Sequence, residues 1–180
     1  IPQINWKEVS SQIICDEHVQ GTGQFVPGTV AGMKLVKDFL ATKLANYDTS
    51  RNDINSDGQS NLSPYIAHGN ISRRQIILEL LKHTKVTISD AFDSVQNGSN
   101  GKMGSVAAFI EECVVRAEIA ENFCFYSDLY DTFDGFPAWA KESLTKASTD
   151  TREYAYSYEQ FNKAQTYDPL WNAAQMQMVT

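Results

Sequence analysis

Apolar positions recur every three to four residues in several segments of the chain, and Val, Ile and Thr never alternate with polar neighbours for long. That periodicity predicts an all-α fold. The first helix is expected from about Asn5 to Val19, with Trp6, Val9 and Ile13 on one stripe, ended by the Gly- and Pro-bearing stretch GTGQFVPG. A second begins near Thr29 and buries Val36, Leu40 and Leu44. From Tyr47 to Ser63 the run YDTSRNDINSDGQSNLS is almost devoid of aliphatics and rich in Asn, Asp, Ser and Gly, so it reads as loop. Loops of that length inside a domain tend to carry function.

Helix starts follow. Ser63 with Pro64 reads as an N-cap and first helical residue, and Ser72 with Gln75 as a capping box opening the helix of Ile76, Ile77, Leu80 and Leu81. The stretch SVQNGSNGKMGS, about Ser94 to Ser105, reads as a turn-rich surface excursion, and disorder is expected there. After it comes the longest predicted helix, about Ser105 to Phe125, with Phe109, Cys113, Ala117, Ala120 and Cys124 as its buried stripe. Asp134 to Pro137, and Asp168 with Pro169, signal two further starts. The last segment, PLWNAAQMQMVT, carries no stop signal, from which a truncated or partial sequence is expected.

Composition narrows the class. With 180 residues, 42% hydrophobic and 21% charged, the chain can bury one sizeable core and is too balanced for disorder. One globular domain without internal repeats is expected. No apolar run approaches membrane length and the start, IPQINWKEVS, lacks the features of a signal peptide, so a soluble, intracellular protein is expected. The formal net charge of −7 argues against wholesale nucleic-acid binding and leaves only a local basic patch open. Cys15, Cys113 and Cys124 are odd in number, lack CxxC spacing, and read as reduced packing residues.

Three constellations could carry chemistry. Ser60, Asn61, Leu62 and Ser63 lead into a helix whose free N–H groups and hydroxyls suit an anion such as a diphosphate, with Tyr47 and Arg51 at the other end of the loop; an ordinary Ser-Pro helix start is the plainer reading. Glu112 and Arg116, spaced i,i+4, are either a solvated ion pair or a carboxylate and a cation facing a cleft. The aromatic residues Trp6, Trp139, Trp171, Phe123, Phe125, Tyr126 and Tyr130 are mostly expected to pack in the core or between helices. His18, His68 and His83 have no second ligand at metal spacing, so no metal site is expected. Neither a nucleophile elbow nor a glycine-rich phosphate loop occurs.

The segments YDTSRND, SNLSPYIAHGNIS, FIEECVVRAEIAENFCFY, FPAWAKESL and TYDPLWNAAQM, in this order, resemble class II cyclobutane pyrimidine dimer DNA photolyases. AENFCFY and DPLWNA carry the resemblance most specifically, and it covers the chain from about Pro27 to Thr180. It implies a multi-helix orthogonal bundle resembling the photolyase FAD-binding domain. Residues 1–180 would be part of that domain, lacking its C-terminal side and the N-terminal α/β antenna domain. Tyr47, Ser60, Asn61, Leu62 and Ser63 would lie around the phosphates and ribityl chain of FAD, and Arg51 at the DNA backbone. Glu112 would be the active-site acid that hydrogen-bonds the flipped-out dimer.

Arg116 stands where some members carry a Trp that stacks on the lesion, and its flat guanidinium could engage a base or phosphate of the DNA. Trp171 matches a member of the tryptophan relay that photoreduces the flavin. The implied activity is light-driven repair of pyrimidine dimers in DNA by electron transfer from reduced FAD, in a monomer without metal. The chain by itself would neither hold FAD tightly nor repair DNA. A cryptochrome-like flavin photoreceptor and a non-catalytic helical interaction module are the alternatives; an acid aimed at a dimer has no evident use in a light sensor.

Overall fold

A computed structural model describes residues 3–14, 23–97 and 101–179, and among these every regular element is helical. In chain order they are α1 (Trp6–Ser11), α2 (Thr29–Thr42), α3 (Tyr47–Ser50), α4 (Ser63–Ala67), α5 (Arg73–Thr84), α6 (Ile88–Asn97) and α7 (Gly101–Ile110), followed by a π-helical turn (Glu111–Val115) and α8 (Arg116–Tyr126). Then come α9 (Ala138–Ala147), α10 (Tyr158–Asn162) and α11 (Pro169–Val179). The all-α expectation holds. Two compact units divide the chain, one spanning Val26–Leu144 and the other made of Ile1–Phe25 with Thr145–Thr180.

In the Val26–Leu144 unit the apolar stripe of α2 does what its spacing predicts: Val36, Phe39 and Leu40 are buried, and Leu44 follows in a short 3-10 turn. They meet Ile76 and Leu80 of α5 and Val106, Phe109 and Ile110 of α7 in one hydrophobic cluster. Gly32 lets α2 approach closely, since a Cβ there would come within 2.9 Å of Ile71 Cγ2 and 3.0 Å of Tyr65 Cδ1. Helix α5 opens where expected, the Ser72 hydroxyl accepting from the Gln75 N–H at 3.1 Å. Helix α6 gave no signal in the sequence reading. Its start is set by Thr87, whose hydroxyl accepts from the Asp90 N–H at 3.1 Å and donates to the Asp90 carboxylate at 2.7 Å.

Several expectations are corrected. The excursion from Ser94 to Ser105 is helical on both flanks; residues 98–100 within it lie outside the described residues. Ser105 and Ser94 are buried, because each hydroxyl finds a backbone or carboxylate partner there. The supposed loop from Tyr47 begins with a helical turn, α3, because Tyr47 faces the core and behaves as an apolar anchor. Helix α4 begins at Ser63 itself with Pro64 as its second residue, and no side chain caps it.

Beyond Val115 the predicted stripe fails. Ala120 and Cys124 are exposed, as are Phe123, Phe125, Tyr126, Tyr130 and Trp139. The π turn adds a residue to the helix, which takes the α8 stripe out of line with that of α7, and the buried cluster ends near Ile110.

In the other unit, α1 is shorter than expected and Trp6, Val9 and Ile13 are exposed; Cys15, His18 and the remainder of that predicted helix lie outside the described residues. Helix α11 starts as predicted, with Asp168 Oδ1 accepting from the N–H groups of Leu170 at 2.8 Å and Trp171 at 3.2 Å. Helix α10 is opened by a reciprocal capping box between Ser157 and Gln160 that the sequence reading passed over.

Candidate functional site

The site begins with the way α3 is pinned. Tyr47 lies edge-on to Phe39 and to Phe109, with ring centroids 5.5 Å away in both cases, so the phenol body belongs to the core. The fully buried Ser105 hydroxyl donates to Asp48 Oδ1 at 2.8 Å and accepts from the Asp48 N–H at 3.2 Å, fastening the same turn to α7. Ser105 positions the site and was missed by the sequence reading.

Residues 51–62 then form a stitched loop. The Ser56 hydroxyl donates to the Ser50 carbonyl at 2.9 Å, Lys43 Nζ pairs with Asp57 at 2.7 Å, and the Gln59 amide donates to the Arg51 carbonyl. Gly58 is required by contact: a Cβ there would sit 2.4 Å from the Ser50 carbonyl oxygen. Asn61 turns the chain with a positive φ of 56°, a conformation Asn tolerates better than most residues. Leu62, the one aliphatic in the segment after Ile54, is buried and anchors the return into α4.

The π turn supplies the opposite wall. The Arg116 N–H bonds to the Glu111 carbonyl, five residues back, instead of continuing the four-residue ladder. The side chains follow that register: Arg116 Nε pairs with Glu111 at 3.2 Å and lies 65% exposed. The expected Glu112–Arg116 pairing is therefore replaced. Glu112 instead accepts from Arg51 Nη1 at 2.5 Å, across 61 residues of sequence.

Two adjoining hollows result. One, of about 160 Å³, is lined by Tyr47, Ser60, Leu62, Ser63, Ile66, Phe109, Glu112 and Cys113. The other, of about 270 Å³, is lined by Tyr47, Arg51, Asn52, Gln59 and Glu112. The polar segment after the loop and the acid from the later helix thus share one region, with Tyr47 and Glu112 common to both hollows. Asn61 lines neither of them. Burial pushes the Tyr47 phenol above its ordinary value, outweighing the pull of the neighbouring Arg51 cation. Burial also raises the Cys113 thiol. Chemically, the region offers hydroxyl donors, a guanidinium and a carboxylate beside an apolar floor, a set suited to a ligand that is part anionic and part aromatic.

Trp171 lies in the other unit. It is 36% exposed and packs edge-on against Phe161 at 5.0 Å, and Phe161 against Tyr156 at 5.5 Å. Among the described residues no group of three or more His, Cys, Asp and Glu is arranged to hold a metal ion, and no helix is long and apolar enough to cross a membrane.

No family model matches the chain. Individual proteins do. A deoxyribodipyrimidine photo-lyase of Potorous tridactylus is 39% identical over 176 residues, covering 98% of this chain and 30% of that protein. One of Arabidopsis thaliana is 40% identical over 159 residues, covering 86% of this chain and 29% of that protein. A third, of Methanothermobacter thermautotrophicus, is 34% identical over 155 residues, 86% of this chain and 30% of that protein. The chain spans about 30% of the length of the curated relatives it matches.

Proposed function

Because this chain belongs to the deoxyribodipyrimidine photo-lyase family, we propose that it forms part of the helical, flavin-binding portion of an enzyme that repairs cyclobutane pyrimidine dimers in DNA with light. The observation that carries the reading is the convergence of the Ser60–Ser63 segment and Glu112 on adjoining hollows that share Tyr47.

FAD is the cofactor this reading calls for, and the donor set fits its polar half. Ser60 and Ser63 offer hydroxyls, Tyr47 a phenol, and Leu62 holds the segment against the core. Each hollow is smaller than the roughly 300 to 1,000 Å³ of a pocket that encloses a ligand of drug size, so these residues hold part of the cofactor. When bound and reduced, FAD supplies light absorption and one-electron donation. The chain's own tasks are to bind, to orient and to stabilise charge. Glu112 hydrogen-bonds the flipped-out dimer and steadies the charge that develops on it, a preorganised electrostatic role. Arg51 and the exposed Arg116 engage the DNA, the first at a phosphate and the second at a base or phosphate. Trp171, in van der Waals reach of an aromatic neighbour, serves as an oxidisable step for flavin photoreduction.

The test uses the complete protein carrying this segment, loaded with FAD, and follows thymine dimers in DNA under blue light. Dimers are expected to disappear only in the light. Glu112→Ala is expected to keep the flavin spectrum while lowering repair per absorbed photon, by up to about 100-fold if the acid is worth as much as one preorganised transition-state hydrogen-bond partner. A flavin-loaded protein that leaves dimers intact under illumination defeats the proposal.

A further inference from the structure

Resting on the reading that the hollow receives DNA, we propose that Arg51 and Glu112 form a latch. Their ion pair holds both groups at the rim of the hollow until an anionic phosphate oxygen takes Arg51, and only then is the Glu112 carboxylate free to turn its full charge to a base.

The two residues reach each other from different elements, Arg51 from the end of α3 and Glu112 from the π turn. Arg51 Nη1 donates to Glu112 Oε1 at 2.5 Å, with the side chains 25% and 41% exposed. Water therefore screens this pair less than a surface pair such as Lys34–Asp38, whose side chains are 80% and 57% exposed. The guanidinium lies 5.9 Å from the centroid of the Tyr47 ring, and that ring is fixed in the core by Phe39 and Phe109. Its travel is thus limited on the side of the core and open toward the hollow lined by Asn52 and Gln59.

The second observation is a donor without an acceptor. Arg51 Nε is buried and makes no hydrogen bond. A guanidinium settled in a purely structural role finds acceptors for its buried N–H groups, since an idle buried donor is costly. Here one edge is held by Glu112 while another is idle, an arrangement that movement of the side chain relieves. A phosphate oxygen entering the hollow of about 270 Å³ offers Arg51 the charge-assisted, two-pronged partner its shape fits best.

Glu112 is the other half of the argument. Its carboxylate fronts both hollows, and while bonded to Arg51 it is committed to the more polar one. While Oε1 is held by Arg51, the pair fixes the orientation of the carboxylate and offsets part of the charge it could offer a base. Anion capture and release of the acid are therefore one event.

The test uses the full chain, with inorganic phosphate titrated at constant ionic strength against chloride. Magnetic resonance follows the Arg51 Nε–H group and the Glu112 side-chain carboxylate. Both signals are expected to move along one saturation curve. Glu112→Gln is expected to bind phosphate about fivefold more tightly, having lost the competitor. Asp38→Asn, which removes the surface pair with Lys34, is expected to leave the affinity unchanged, and Arg51→Gln to abolish the response. Should Glu112→Gln not fold, Glu112→Asp, which keeps the charge and shortens the reach, replaces it in the comparison. Equal affinity with and without Glu112, movement of Arg51 while Glu112 stays still, or no response at either group each overturns the latch. The light-dependent repair assay stands or falls separately.

Discussion

Tyr47 is where the core of the larger unit becomes the wall of a site. The residue is 5% exposed, its ring set between Phe39 and Phe109, yet it lines two hollows. Burial raises its pKa above that of an exposed tyrosine, and the Arg51 cation only partly reverses this. Since the folded value is the higher one, the neutral phenol contributes stability that is fully present below about pH 10, the unfolded value, and is lost as pH rises through the folded one. Urea midpoints measured from about pH 8 upward should therefore fall more steeply at the alkaline end for the native chain than for Tyr47→Phe. Equal slopes would mean that Tyr47 ionises as freely folded as unfolded. Tyr47, Arg51 and Glu112 were candidates from the sequence, through loop composition, helical spacing and the resemblance carried by YDTSRND and FIEECVV, and the structure brings them together. Ser105 was not. A serine in a run of Gly, Ser and Asn reads as a turn residue, and only Asp48, 57 positions away, reveals it as a buried hydrogen-bonding pin.

At the level of elements, periodicity found α2 and α5 because each buries a continuous stripe against the other's cluster, which is the condition under which a 3.6-residue pattern is informative. It failed for α6, whose N-terminal cap is a Thr–Asp exchange and whose sequence, ISDAFDSVQN, runs into turn residues. It failed again past Val115, where the helix continues but the stripe does not, because the pattern assumes a constant turn and the π segment breaks that assumption. The loop between α3 and α4 was recognised by composition, but its stitching depends on side chains meeting at a distance: Lys43 with Asp57, Gln59 with Arg51, Gly58 against Ser50. Gly58→Ala tests that stitching. The added methyl must displace the Ser50 carbonyl, so the chain should lose about 1 to 3 kcal/mol in denaturant titration, and the mutation should weaken the phosphate response of Arg51 as well. An Ala variant as stable as the parent would show that the loop yields without resistance.

For the whole chain, the charge of −7 sets the background against which the few cations act. Anionic ligands approach against a repulsive mean field, so a local arginine matters more here than it would on a basic protein. The chain also displays unusually large apolar side chains to solvent, Phe125 and Tyr126 of α8 at 80% and 77% exposure and Trp139 of α9 at 72%. Sequence could not foresee this, because an aromatic residue at helical spacing reads as core whether or not a neighbour covers it. The chain should accordingly enhance the fluorescence of anilinonaphthalene sulfonate under native conditions, and Phe125→Ser with Tyr126→Ser should diminish the signal without lowering the melting temperature. Unchanged fluorescence would place the dye elsewhere. The wide turn at Glu111–Val115 has a consequence of its own. One residue along a helix is worth about 100° of rotation, so this turn acts as a clocking joint: shorten it by a single residue and α8 keeps its axis while every face it presents is dialled round by more than a quarter revolution. The azimuth of Arg116 and of the aromatic residues beyond it is therefore encoded in a count, five residues instead of four, and a family member that gained or lost one position there would read the same letters on a different side.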